Sequence, residues 1–287
     1  MTNILVAGVR GKTGQHVARE LAAVPGVEIY GASAVPASVP LEGVRAVRLD
    51  WADSASITSA LEGIDALYVA RPEIEDAPER LSELLRNADK LRHVVLLSEM
   101  GADSEPRENW VVRVEQAVRE HAESWTILRP NWFSQVLTDE RFYLDSIRDD
   151  RVLDLPSGGA AVSFIDARDI AAVAVAALLD GSHSGHEYTL TGPDALRLDE
   201  VARMLSAAVD AEVRYVDTSI DEACKAAAEW GDPWFLGLLR DVYERLATNR
   251  YAEVTHAVEA VTGRKPMTVQ RFIEEHASTW RATASPT

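Results

Sequence analysis

Apolar positions in the first half of the chain follow two alternating rhythms. Short continuous runs at Ile4–Ala7, Val27–Ala32, Val44–Leu49, Ala66–Ala70, His93–Leu97 and Thr126–Leu128 have the length of strands buried on both faces. Between them apolar residues return every three or four positions: Val17, Leu21 and Val24; Ile57 and Leu61; Leu81, Leu84, Leu85 and Leu91; Val111, Val114 and Val118. That spacing lays one apolar stripe along each helix. Pro25-Gly26 is placed to stop the first helix, Asp53 to cap the second and Gly63 to end it. Strands alternating with helices of this length predict βαβ units and an α/β fold with a parallel, doubly wound sheet.

The second half has another texture. Strand signals thin to Val162–Ile165, Glu187–Leu190 and Val213–Val216. Helical stretches dominate, at Asp166–Leu179, Leu198–Val209, Ser219–Trp230, Phe235–Thr248 and Thr255–Val261. No linker rich in Pro or Ser separates the halves, and a short polar tail follows Trp280. One compact body is expected.

Chemistry enters directly after the first strand. Ile4–Ala7 runs into Gly8-Val9-Arg10-Gly11-Lys12-Thr13-Gly14 and then into a helix. In a strand–loop–helix setting this is the signature of a dinucleotide-binding, or Rossmann, turn. Gly8 permits the tight turn, Gly11 a close approach to a pyrophosphate, and Gly14 the packing of the helix on the sheet; the helix N-terminus directs its amides at the phosphates. The spacing is G-x-x-G-x-x-G. The end of the second strand, Tyr30-Gly31-Ala32-Ser33-Ala34, lacks the acidic residue that would hold the ribose of NAD. Arg10 and Lys12 offer positive charge to a 2′-phosphate and Ser33 a hydrogen bond, so NADP(H) is the expected cofactor. Asp50 and Trp51 are placed to meet the adenine, or else are a turn carboxylate and a packing aromatic.

With a cofactor core in view, residues 1–182 are expected to form the Rossmann part, with 134–151 contributing to the substrate side. Residues 183–287 are expected to form a smaller, mostly helical substrate-binding part, packed at the carboxyl ends of the strands and returning some strands to the core.

Charge removes several functions. A net charge of −17 opposes nucleic-acid binding, which needs clustered Lys and Arg. Lysine occurs only at 12, 90, 225 and 265, so no polybasic membrane patch forms, and no apolar run is long enough to span a bilayer. A single cysteine, Cys224, excludes an internal disulfide. With no charged leader ahead of the first strand, the expected location is cytoplasmic, as a monomer or homodimer. His183 and His186 lack a third ligand within reach in the sequence, and no metal is expected.

Several short segments together resemble the NmrA-like group of atypical short-chain dehydrogenases/reductases over nearly the whole chain. They are the loop Gly8–Gly14, Asp50–Asp53 with Leu61-Glu62-Gly63-Ile64-Asp65, Trp125–Phe133, Ser163–Ala171, Tyr188–Pro193 and Thr262–Pro266. The resemblance implies an NAD(P)H-dependent quinone, azo, imine or enone reductase, or a redox sensor without catalysis. It also implies that Ala70, Arg71 and Pro72 contact the ribose and pyrophosphate side of the cofactor. Ser98, Pro130, Asn131 and Trp132 would surround the nicotinamide.

The usual proton donor of short-chain dehydrogenases, Tyr-x-x-x-Lys, is missing. None of the tyrosines at 30, 68, 143, 188, 215, 243 and 251 has lysine four residues later, and the lysine frequent in the family four residues before Glu115 is Val111. The expected reaction is therefore hydride transfer to a small apolar or conjugated molecule that needs little proton assistance, with Ser98 and Asn131 as the catalytic candidates. Trp132 and Phe133, with Trp230, Trp234 and Phe235, are expected to line the substrate pocket; core packing is the other reading of the last three. A non-catalytic NADP-binding sensor is the alternative, and a non-redox cyclase or isomerase the third.

Overall fold

A computed structural model describes residues 1–39 and 41–281. The predicted rhythm becomes a sheet of seven strands: β1 (Thr2–Ala7), β2 (Val27–Ser33), β3 (Val44–Arg48), β4 (Ala66–Ala70), β5 (His93–Leu97), β6 (Trp125–Pro130) and β7 (His186–Leu190). They lie in the order β3-β2-β1-β4-β5-β6-β7, and every pair is parallel. The order reverses between β1 and β4, which opens a crevice beyond the carboxyl ends of those two strands.

Successive side chains of a strand point to opposite faces, and both faces here are covered. Leu5, Leu67, Val69, Leu96 and Ile127 share one core with the apolar stripes of α2 (Ser54–Ala60), α3 (Ala77–Arg86) and α4 (Trp110–His121). The alternate residues Ile4, Val6, Tyr68 and Val95 are equally buried. That face is served by α1 (Gly14–Ala22) and α5 (Ala167–Leu179), which pack on one another. The Asp53 carboxylate accepts the Ala55 and Ser56 amides and caps α2 as its sequence position predicts, a contact worth about 1 kcal/mol.

The chain groups into two compact units. The first holds Met1–Pro130, Ala167–Leu190 and Ala257–Arg264; the second holds Asn131–Asp166, Thr191–His256 and the described residues from Lys265 onward. The division does not fall between residues 182 and 183. β7 pairs along β6 and satisfies the backbone of that edge, so residues 186–190 belong to the first unit.

The second unit is mostly helical: α6 (Leu198–Val209), α7 (Ile220–Ala227), α8 (Pro233–Ala247) and α10 (Val269–Glu275), while α9 (Ala257–Thr262) returns to the first. The strands expected at 162–165 and 213–216 shrink to Ala161–Val162 and Arg214–Tyr215. Their partners, Leu196–Arg197 and Val152–Leu153, are two-residue pieces with no period to read. α10 escaped the pattern as well, although Val269, Phe272 and Ile273 bury one helical face and Thr268 caps it. Trp280 is fully buried and its indole N–H donates to the Leu137 carbonyl at 2.7 Å. Beyond it, only Arg281 of the polar tail lies among the described residues. Among those residues no helix is long and apolar enough to cross a membrane.

Candidate functional site

The glycine loop leaves β1 at the crevice. Gly8 has φ +85°, the left-handed region that favours glycine, and the Gly11 N–H donates back to its carbonyl at 2.8 Å. A Cβ placed on Gly14 would stand 2.2 Å from the Gly8 carbonyl oxygen, so only glycine lets α1 begin this close to the turn. The close approach is to the loop's own backbone, where packing on the sheet was expected. Gly8, Arg10 and Gly11 are exposed, and the first turn of α1 closes on the loop, with the Gln15 amide donating to the Gly11 carbonyl at 3.3 Å and the His16 amide to the Thr13 carbonyl at 2.9 Å. Thr13 points the other way. It is buried, and its Oγ1 accepts the Tyr68 hydroxyl at 2.7 Å, so its side chain anchors the loop to β4.

Beyond β2 the structure brings Arg10 and Ser33 together through a residue the sequence did not single out. Arg10 Nη1 donates to Ser38 Oγ at 2.9 Å, and Ser33 Oγ lies 3.4 Å from the same oxygen. Ser38 closes the short turn Pro36–Ser38. Lys12 is half-buried. Asp50 and Trp51 both have partners within the chain. The Asp50 carboxylate accepts the Ala52 N–H at 3.0 Å and the Arg48 guanidinium at 3.1 Å, while Trp51 packs on the core beneath α2 and α3.

At the end of β4, the Ala70 Cβ would lie 3.3 Å from a Cβ on Gly8, so these two backbones form adjacent walls of the crevice. Arg71 Nη1 lies 2.6 Å from Glu99 Oε2, and its guanidinium covers the Trp110 ring with its carbon 5.4 Å from the centroid. Pro72 is buried.

Ser98 follows β5 and belongs to a buried ionic network. Its hydroxyl donates to Glu115 Oε1 at 2.6 Å. Arg129 closes a two-pronged pair on the same carboxylate, Nε to Oε1 at 2.9 Å and Nη2 to Oε2 at 2.8 Å. Arg119 adds a fourth bond, to Oε2 at 2.7 Å, and both arginines also reach Glu187 on β7. Burial pushes the Glu115 carboxyl up, but the Arg129, Ser98 and Arg119 hydrogen bonds and the Arg129 charge outweigh it and hold it below the ordinary value. The network had a signal in the sequence: Glu115 falls on the Val111–Val118 stripe, and Arg129 interrupts an apolar strand.

Pro130 ends β6, and its carbonyl accepts the Met100 N–H at 3.0 Å. In the second unit Asn131 is fully engaged. Its Nδ2 donates to Ser163 Oγ at 2.5 Å and to the Tyr251 carbonyl at 2.8 Å, and its Oδ1 accepts the Trp132 N–H at 2.7 Å. Trp132 is half-buried, stacked on Tyr243 with centroids 6.0 Å apart and edge-on to Tyr251 at 5.9 Å. The Tyr143 and Tyr243 hydroxyls meet at 3.3 Å. Burial drives both phenols up, Tyr243 to about 12. No motif spacing links these tyrosines to Trp132; only the helical packing of the second unit does. Phe133 is half-buried and bridges to Ile165. Trp230 is exposed and packs on Phe142 and Phe235, and Trp234 and Phe235 are half-buried in the first turn of α8, after the break at 228–232.

Residues 8–181 match a family described as NAD(P)H-binding. The chain is 33% identical to an NAD(P)H azoreductase of Xenophilus azovorans, over 97% of this chain and 99% of that protein. It is 31% identical to a (4-alkanoyl-5-oxo-2,5-dihydrofuran-3-yl)methyl phosphate reductase of Streptomyces griseus, over 96% and 98%. Among solved structures, an NADPH-dependent quinone oxidoreductase of Escherichia coli, in complex with NADPH, has the same fold with a TM-score of 0.80, at 21% identity over 97% of this chain and 99% of that one.

Proposed function

Because the chain belongs to the NAD(P)H-binding, NmrA-like group of short-chain dehydrogenases/reductases and is an NAD(P)H-dependent oxidoreductase, we propose that it uses NADPH to reduce a small apolar or conjugated substrate without a dedicated proton donor. A quinone, imine, iminium or enone fits that description, and the first relative's azo substrates are of the same conjugated kind.

The glycine loop fits a dinucleotide: it turns sharply at Gly8, is exposed at Gly8 and Gly11, and lies at the crevice beyond β1 and β4. Gly8, Gly11 and the backbone at Lys12, Thr13 and Gly14 would hold the pyrophosphate. Arg10, Ser33 and Ser38 would hold a 2′-phosphate, with Lys12 adding charge. Ala70, Pro72, Ser98 and Pro130 would border the ribose and nicotinamide half. Arg71 would act by shaping the wall through Glu99 and Trp110. When bound, the cofactor supplies the hydride.

One observation carries the choice of substrate: both hydroxyl and amide candidates have their protons committed. Ser98 donates to Glu115, and Asn131 donates to Ser163 and Tyr251. An iminium carbon arrives already positive, and a quinone or enone spreads the developing negative charge over a conjugated system, so water suffices for the proton. The chain's task is then to orient the substrate, for which Trp132, Phe133, Trp234 and Phe235 supply apolar surface.

NADPH oxidation followed near ~340 nm, a property of the cofactor, tests the reading. Quinones, imines and enones should be turned over and unactivated ketones should not. Ketone reduction at a comparable rate would overturn it, and tight NADPH binding with no turnover of any acceptor would point to the sensor. For cofactor choice, Arg10→Ala should weaken NADPH about tenfold, the loss of one charge-assisted contact, and leave NADH unchanged.

A further inference from the structure

Glu115 is an ionised carboxylate sealed beneath the end of β5, and the proposed reaction leaves it without a task. Its relative exposure is 1%, and each of its two oxygens accepts two hydrogen bonds: Oε1 from Ser98 and Arg129, Oε2 from Arg129 and Arg119. Four donors on one carboxylate leave no lone pair for a proton, and the arginine charges hold it ionised. An ionised carboxylate only accepts. The hydrogen between Ser98 Oγ and Glu115 Oε1 therefore belongs to the serine, and at 2.6 Å it is firmly held.

A hydroxyl has one proton and two lone pairs. A serine free to rotate at the end of β5 could offer either to a ligand; this one has a fixed polarity. No group among the described residues donates to Ser98 Oγ, so its lone pairs are the unused part. We propose that Glu115 is a positioning residue that takes the Ser98 proton and so presents Ser98 Oγ as an acceptor to a donor on the nicotinamide half of the cofactor, a ribose hydroxyl or the carboxamide N–H. Ser98 then contributes to holding and orienting the cofactor and not to protonating the substrate. Arg129 and Arg119 act one step further out, by keeping Glu115 charged. The inference rests on the proposed binding of NADP(H) at this crevice.

The test separates the nicotinamide half from the rest. Dissociation constants for NADPH and for adenosine 2′,5′-bisphosphate, which lacks that half, are measured by calorimetry beside thermal melts. The proteins are wild type, Ser98→Ala, Glu115→Gln and the double variant. Ser98→Ala and Glu115→Gln should each weaken NADPH by about tenfold, the scale of one hydrogen bond. The double variant should be no weaker than Ser98→Ala, and the bisphosphate should bind all four proteins equally.

Equal losses for both ligands in Glu115→Gln would make Glu115 a fold-holding residue and overturn the proposal. So would unchanged NADPH affinity in either single variant, or additive losses in the double. Should Glu115→Gln fail to fold, Glu115→Asp carries the same expectation, because it keeps charge for Arg129 and withdraws it from Ser98. A wild type that binds neither ligand would overturn the cofactor reading itself, a different result from any of these.

Discussion

Thr13 Oγ1 accepts a hydrogen bond from the Tyr68 hydroxyl at 2.7 Å, with both residues buried, and so a side-chain contact ties the glycine loop to the middle of the sheet. Burial pushes the Tyr68 phenol well up, so it stays a donor at every working pH. Tyr68→Phe leaves the Thr13 hydroxyl buried without that partner. It should cost roughly 1–3 kcal/mol, read as a lower denaturation midpoint. NADPH affinity should fall by a few-fold at most, because the loop backbone is held by its own turn as well.

Gly11 tests the loop from its open side. A Cβ there would lie 3.1 Å from the Gly8 carbonyl, a tight fit that small shifts can relieve. Gly11→Asp sets a carboxylate where the pyrophosphate is proposed to lie. NADPH binding should drop below detection by calorimetry while the melting temperature moves little. Retained binding would remove the loop from the cofactor site.

His93 makes stability depend on pH. Burial, and then the nearby His183, hold its imidazole below the ordinary histidine value. The unfolded chain therefore takes up the proton first, at about 6.5, and stability is lost as pH falls from there through the lower folded value. Urea midpoints should decline between about pH 7 and pH 5, and the decline should flatten in His93→Gln. The ring stands between Ser124 and Thr126, at 2.7 and 3.3 Å, so glutamine keeps polar contacts there.

The tyrosines of the second unit are expected to be dispensable for proton delivery. Burial raises both Tyr143 and Tyr243, which makes them poor acids near neutral pH. Tyr143→Phe and Tyr243→Phe should each lower kcat by less than tenfold, against the roughly 10²–10⁴-fold of a lost general acid. A variant that binds NADPH normally and loses turnover on that larger scale would identify the donor.

Trp234 separates a substrate wall from core packing. It is half-buried at the start of α8, so Trp234→Ala should raise KM with a stability loss well under the ~3–5 kcal/mol of a buried tryptophan. A large drop in melting temperature with unchanged kinetics would place it in the core.

Where the sequence speaks clearly, a strong local period coincides with a single structural role. The runs at 4–7, 66–70 and 93–97 are strands because nothing but a doubly covered sheet accepts such continuous apolarity, and Gly8–Gly14 is legible because its geometry is local. The site beyond those strands is less so. Ser38 reaches Arg10 across 28 residues of chain, and Ser163 reaches Asn131 across 32, contacts without a period. Ser98 and Asn131 directly follow β5 and β6, but a sequence cannot reveal that a hydroxyl or an amide has already given away its protons. The two-residue strands, such as Val152–Leu153, are set by their partners and carry no pattern of their own.

The order in which the chain visits its two units bears on how it can be made. β7 is the last strand of the sheet and comes from residues 186–190, after the chain has left the first unit at Pro130 and returned at Ala167. During synthesis β6 is paired with β5 on one side only, and its other edge waits for β7 until some sixty further residues have emerged. A fragment ending at residue 182 would keep that wait for ever. It would hold the whole glycine loop and yet display an open, apolar sheet edge, inviting pairing with its own copies. The glycine loop and the strand that covers the sheet edge are thus written into different stretches of the chain, and excising the first does not bring the second with it.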